Sequence, residues 1–340
     1  TPRPTPPTAT PTCDLGVCDV VCADGYARCG DACCPTSCPP RQPLYAGACA
    51  ARHVQLDSDQ GNIGEHASLA LDSIGAARIS CYTRSGKNLK YSRQQPDGTW
   101  TTETADAPDD VGQHTSIAID DSGVIRIAYY DATAKSLNHA VRLDAASWST
   151  EVVADGGDVG KHASLAFDAT GLGHIAYYDQ TNGNLMLASE QPGGGWSTQT
   201  VDAVNDVGEH ASLAFDPVGV AHIAYYDRTN GNLMLAVQLP IDAWSVQTVR
   251  AVDDVGAHAS LAFDPAGTAH IAYYDRTNGD LMLASEGEAG TWNVQTVDDA
   301  NDVGSYASLA FDVTGVAHVS YYDATEGDLK HAMLARGTPW

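Results

Sequence analysis

"VGEHASLAFDPVGVAHIAYYDRTNGNLMLA" occupies Val207 to Ala236, and "VGAHASLAFDPAGTAHIAYYDRTNGDLMLA" begins at Val255. A third near-copy begins at Val159. The spacing is 48 residues and it holds along the chain. His66, His114, His162, His210, His258 and Tyr306 form one column of the repeat. Gly75, Gly123, Gly171, Gly219, Gly267 and Gly315 form another, with Asp72, Asp120, Asp168, Asp216, Asp264 and Asp312 three residues before them. No insertion breaks the register. A period in the forties with strand-like content points to propeller blades.

One unit reads as four strands. "HASLAFD" (His210–Asp216) alternates and runs into the turn "DPVG", with Pro and Gly where a tight turn uses them. "VAHIAYYD" (Val220–Asp227) is rich in β-branched and aromatic residues. Asn-Gly in "RTNG" is a hairpin signal before the third strand, "NLMLAVQ". "WSVQTV" (Trp244–Val249) is the fourth, and an acidic connector leads to the next copy. A helical solenoid fails, because the apolar spacing is two and Gly interrupts every unit.

The sixth unit ends before its fourth strand, at Trp340, while "RHVQLDS" (Arg52–Ser58) is a strand without a unit. These two facts predict a ring in which the first strand completes the last blade, removing an exposed edge. The expected fold class is all-β: a six-bladed β-propeller of four-stranded blades, closed by an N-terminal strand. The pattern "SLAFDxxGxxHIAYYDxTNGxL", followed by Trp and "DVG", resembles a repeat of secreted bacterial and archaeal β-propeller proteins over residues 52–340. That resemblance implies a fold and an extracellular setting, and no particular activity.

The rest of the chain is different. Residues 1–12 are Pro, Thr, Ala and Arg, a composition for an extended tail. Thr1, Thr5, Thr8, Thr10 and Thr12 beside prolines are O-glycosylation candidates. Residues 13–50 hold Cys13, Cys18, Cys22, Cys29, Cys33, Cys34, Cys38 and Cys49, eight of the nine cysteines. Such density predicts a disulfide module in an oxidising compartment, with the pairing open. Zinc or iron–sulfur binding is the weaker rival, since no His lies in the cluster. "GYARCGDACCPTSCPP" resembles small Cys-rich modules of secreted bacterial proteins. The expected domains are therefore the tail 1–12, the Cys-rich module 13–50 and the propeller 51–340. Thr1 following no Met or signal-like segment suggests a mature, secreted or cell-surface chain.

The formal net charge is −25, from 43 acidic and 18 basic residues. Such a surface repels nucleic acid and anionic lipid. No stretch approaches the ~20 apolar residues of a membrane-spanning helix. Gly-rich phosphate loops, G-x-S-x-G and H-E-x-x-H are absent from the sequence.

Four columns carry candidate chemistry. The ring His66, His114, His162, His210, His258 and Tyr306 should circle one channel mouth, as a binding site, a transition-metal site or a packed polar spacer. Tyr306 favours the spacer. Arg78, Arg126, His174, His222, His270 and His318 should hydrogen-bond a nearby acid. The connector acids Asp110, Asp158, Asp206, Asp254 and Asp302 offer oxygen ligands for Ca²⁺ or bonds to their own turns. The "YYD" column offers aromatic faces for sugar or a core, and in the first blade it becomes Cys81–Tyr82–Thr83.

Three functions follow. A structural or adhesive extracellular bead, attached or assembled into fibres through tail and module, takes other copies or cell-surface components as partners. A lectin with repeated pockets takes glycans. A metal-dependent enzyme at the channel mouth would resemble secreted six-bladed polysaccharide lyases, which use His and a divalent metal in roughly that place.

Overall fold

The computed structural model describes side chains from Gly64 to Leu334, except residues 144–146, 242 and 289. It also describes the backbone of Ile63, residue 289 and six short strands before residue 50. The chain divides into two compact units, residues 1–58 and 59–340. In the first, Thr10–Asp14 pairs with Val17–Val21, Tyr26–Cys29 with Ala32–Pro35, and Leu44–Tyr45 with Ala48–Cys49. The tail residues 1–9, all cysteine side chains of this unit and the side chains of the Thr candidates for glycosylation lie outside the described residues.

The second unit is an all-β, six-bladed propeller. Blade 4 shows the pattern: Val207–Phe215, Ala221–Asp227, Asn232–Leu239 and Ala243–Arg250 pair antiparallel in sequence order. Blades 1, 2, 3 and 5 begin at Ile63, Val111, Val159 and Val255 and have the same order. Blade 6 has three described strands, Val303–Phe311, Ala317–Asp323 and Asp328–Leu334. Arg52–Ser58 and Trp340, expected to complete it, lie outside the described residues. No described helix is long and apolar enough to cross a membrane.

Blades stack face to face. The first strands of successive blades lie side by side, whereas the fourth strands scarcely touch, so the first strands are innermost. Five apolar clusters fill the five interfaces from blade 1 to blade 6. Leu89, Leu137, Leu185, Leu233 and Leu281 in the third strands are fully buried there. Each buried leucine contributes about 1.5–3 kcal/mol relative to exposure. The tyrosines of the "YYD" column in blades 2–5 are mostly core, and Cys81 is buried in the same position.

One glycine sets how close the blades come. Gly208, with φ +109°, lies over Leu185 of the preceding blade, and a Cβ added to it would sit 2.8 Å from the Leu185 Cα. Gly112, Gly160, Gly256 and Gly304 repeat the contact on the other four leucines. Polar links join the same surfaces. The Leu213 N–H donates to Ser164 Oγ at 2.9 Å, and the Val207 N–H to the Gly183 carbonyl at 3.0 Å. The Tyr178 hydroxyl donates to Asp206 at 2.5 Å.

The strand expected to seal the ring lies outside the described residues. Among the described residues, blades 1 and 6 make no contact of this kind, and no apolar cluster joins them. The seam between their described faces is open.

Gly208→Ala is expected to destabilise the propeller by about 2–4 kcal/mol, because overpacking against Leu185 and a strained backbone act together there. Urea unfolding followed by circular dichroism measures it. Gly219→Ala, with nothing within 4 Å, should cost only the backbone term.

Candidate functional site

Each innermost strand is bulged near its start. In blade 4, Val207 pairs with Asp227, Glu209 with Tyr226 and Ser212 with Ala224, so extra residues are accommodated between pairs. The bulge puts His210 at φ +55°. His66, His114, His162, His258 and Tyr306 share this left-handed backbone, with φ from +52° to +56°. Such a conformation costs a non-glycine residue about 1–2 kcal/mol, and bulges re-aim side chains.

The result is a continuous arc of rings. Successive centroids from His66 through His258 to Tyr306 lie 4.3–4.6 Å apart. Each His also meets the second tyrosine of its own blade, as His162 meets Tyr178 at 6.3 Å. Burial, then the charge of neighbouring histidines, pushes His114 down to about 2. Burial, followed by His258, His66, Lys161 and Arg276, brings His162 to about 3. Burial and Arg276 bring His258 to about 4. Among the described residues, no three His, Cys, Asp or Glu side chains are gathered as metal ligands would be.

The connector acids also have protein partners. Asp110, Asp158, Asp206, Asp254 and Asp302 each accept the tyrosine hydroxyl of the preceding blade, at 2.5–2.8 Å. Lys87 and Lys161 further neutralise Asp110 and Asp158 at 3.1 Å. The structure thus gives the calcium candidates blade-linking hydrogen bonds and does not cluster them with one another.

At the far end of the innermost strands the Asp-x-x-Gly turns assemble differently. Asp168 Oδ1 accepts the Thr170 and Leu172 N–H groups, at 2.8 and 3.1 Å, and its Oδ2 faces His174 Nε2 at 3.2 Å. Burial alone would raise Asp168, but hydrogen bonds from Thr170 and His174 hold it below the usual carboxylate range. The Arg/His column expected to hydrogen-bond an acid faces one in every blade and is within hydrogen-bond distance of it in blades 1–3. Arg78 reaches Asp72 at 2.5 Å and Arg126 reaches Asp120 at 3.4 Å. His222, His270 and His318 face Asp216, Asp264 and Asp312 at 3.5–3.8 Å.

The same groups lie against the next blade, the imidazoles edge-on or tilted to its phenylalanine. His174 meets Phe215, His222 meets Phe263 and His270 meets Phe311, with centroids 4.8–5.2 Å apart. The Arg126 guanidinium lies 5.2 Å from the Phe167 centroid. Between the turns of blades 2, 3 and 4 opens a cavity of about 370 Å³. Phe167, Phe215 and Ile119 supply its apolar wall, and Asp120, Asp121, Asp168 and Asp216 its acidic groups. Asp121 is exposed and makes no ion pair among the described residues. The phenylalanines are not among the candidate residues of the sequence. The signal was available: the chain has four Phe, and all four stand immediately before the repeated Asp.

The blade junctions hold a further polar group. Glu103 Oε1 accepts from Trp148 Nε1 and Arg142 Nε, both at 3.0 Å. Glu151 Oε1 accepts from Trp196 Nε1 at 2.9 Å and contacts His139 Nδ1 at 3.0 Å. These aromatic–acid groups close on themselves.

No protein-family model matches the chain, and no curated protein matches it. Solved structures resemble it in fold. A protein of unknown function from Dyadobacter fermentans aligns with a TM-score of 0.61 at 12% identity, over 81% of this chain and 94% of that one. The SapL1 lectin in complex with alpha methyl fucoside aligns at 0.56 and 15% identity, over 81% and 95%. A mutant of the Aleuria aurantia lectin in complex with alpha-methyl-L-fucoside aligns at 0.53 and 14% identity, over 81% and 92%.

Below neutral pH the histidine arc should dominate stability. Its folded pKa values lie below 6.5, so the unfolded chain binds more protons and stability falls as pH drops from about 6.5 toward 4. His162→Asn removes one such group and keeps a residue type tolerant of left-handed backbone. Thermal unfolding between pH 7 and 4.5 should show a shallower loss for His162→Asn than for the parent; equal slopes would refute the arc as cause.

Proposed function

We propose that the propeller is a lectin-type, carbohydrate-binding module. The observation that carries this is the cavity of about 370 Å³ at the turns of blades 2–4, where aromatic walls meet carboxylates. Apolar walls with a few polar groups in a cavity of some hundreds of Å³ are what small-ligand sites require. Sugar C–H faces pack on rings such as Phe167 and Phe215, and sugar hydroxyls donate to carboxylates such as Asp121. The net charge of −25 favours neutral or cationic glycans over acidic ones. The fold shared with two lectins solved with fucosides is compatible with this function and does not specify the sugar.

The remaining readings have less support. The adhesive reading rests on the tail and Cys-rich module, whose side chains lie outside the described residues. The enzyme reading needs a metal held by the histidine arc, and no described ligand cluster supports it. An extracellular location accompanies the lectin proposal, as glycan surfaces and the disulfides expected of residues 13–50 both belong there.

A glycan array carrying fucosides and other neutral sugars, followed by titration calorimetry with methyl α-L-fucoside and the best array sugar, tests the proposal. Asp121→Asn should weaken binding about 10- to 150-fold, the equivalent of one charged hydrogen bond. Phe215→Ala should weaken it as well. An array with no signal from correctly folded protein would overturn the lectin reading.

A further inference from the structure

The open seam between blades 6 and 1 is made of two matching half-interfaces. Leu329 stands in the column of Leu89, Leu137, Leu185, Leu233 and Leu281, yet it is 81% exposed where those five are 0% exposed. Leu69 is 61% exposed, whereas its counterparts Ile117, Leu165, Leu213, Leu261 and Leu309 are 5–7% exposed. Gly64 has the φ of its column, +105°, but nothing lies within 4 Å of an added Cβ. Tyr306 ends the ring arc and is 72% exposed.

The polar links stop at the same place. Ser68, Ser116, Ser164, Ser212 and Ser260 each accept a backbone N–H from the next blade. Val111, Val159, Val207, Val255 and Val303 each donate to a turn carbonyl of the blade before. Ser308 and Ile63 hold the corresponding positions and make no such bond among the described residues.

We propose that this seam is a docking surface for a second copy of the chain, the blade 6 face of one copy seating on the blade 1 face of the next. The occupant follows from continuity with an interface already made five times. Leu329 needs a glycine over it, and Gly64 needs a leucine beneath it. Each face is therefore complementary to the opposite end of the array and not to itself, so association is head-to-tail. A heterologous contact closes into a ring where its rotation allows and otherwise continues from molecule to molecule. Five steps within this chain leave both described end faces uncovered, which is the condition for continuing into another chain. The exposed Leu329 and Leu69 supply the driving force that the aliphatic side chains of their columns supply inside the propeller.

Cross-linking tests the assignment. In the formed interfaces, a Cβ built on Gly208 lies 3.1 Å from the Leu185 Cβ, close to the ~3.5–4.5 Å of a disulfide. Full-length Gly64→Cys and Leu329→Cys proteins, one of them isotopically labelled, are mixed and oxidised. Mass spectrometry of the linked peptides should find labelled joined to unlabelled chain. Sedimentation velocity of the parent should show assembly that rises with concentration, and Leu329→Asp should lose that rise. Two results would overturn the proposal: a Gly64→Cys/Leu329→Cys double variant that links only within one chain, or a parent protein that stays monomeric at every concentration. The sedimentation of the parent decides the matter even if a cysteine variant fails to fold.

Discussion

The contact between a glycine and a leucine on neighbouring sheets governs this molecule. Stacked four-stranded sheets bury their apolar faces only if their backbones approach closely enough to leave no void. Gly112, Gly160, Gly208, Gly256 and Gly304 permit that approach, since any Cβ would collide with the leucine beneath. Their positive φ also starts the bulge that re-aims the following histidine. Serine–amide and tyrosine–aspartate bonds then lock the register between blades, satisfying polar groups that the stacking would otherwise strand. Packing, backbone geometry and polar pairing thus share one short segment of each repeat.

That segment determines what happens at both ends of the innermost strands. At one end the bulge delivers imidazoles into mutual contact. Their burial and crowding make the neutral form the stable one. The left-handed backbone under this arc is strain held by the surrounding blades. At the other end the chain leaves the strand through Asp-x-x-Gly turns. There each aspartate binds its own turn and faces a cation or imidazole of its own blade, and that group packs against the next blade's phenylalanine in blades 2–5. The cavity lies among these turns, so its walls are held by the same links that hold the blades.

The seam shows the same physics in its absence. Side chains that are core in five interfaces become surface in the sixth, although their sequence environment hardly changes. Identical residues thus carry different energies according to whether a neighbouring sheet is present. What covers these two faces decides whether the protein acts alone or joined to others.

The amino-acid sequence by itself determined the blade. The 48-residue period and the alternation of "HASLAFD", which recur in all six copies, and the Asn-Gly hairpins of the three copies at Asn182, Asn230 and Asn278 specify short antiparallel strands, because those signals are local. It also determined that Arg78, Arg126, His174, His222, His270 and His318 meet an acid, because a polar group on an apolar strand needs a partner. Tertiary structure alone decided what the columns do across blades. That Asp158 receives the hydroxyl of Tyr130, that Phe215 meets His174, and that the cavity forms between three turns depend on how far one sheet rotates against the next. The fit of the last blade on the first depends on the same rotation. It is the small sum of many packing contacts over a whole sheet, so residue spacing could count the blades but not the angle between them.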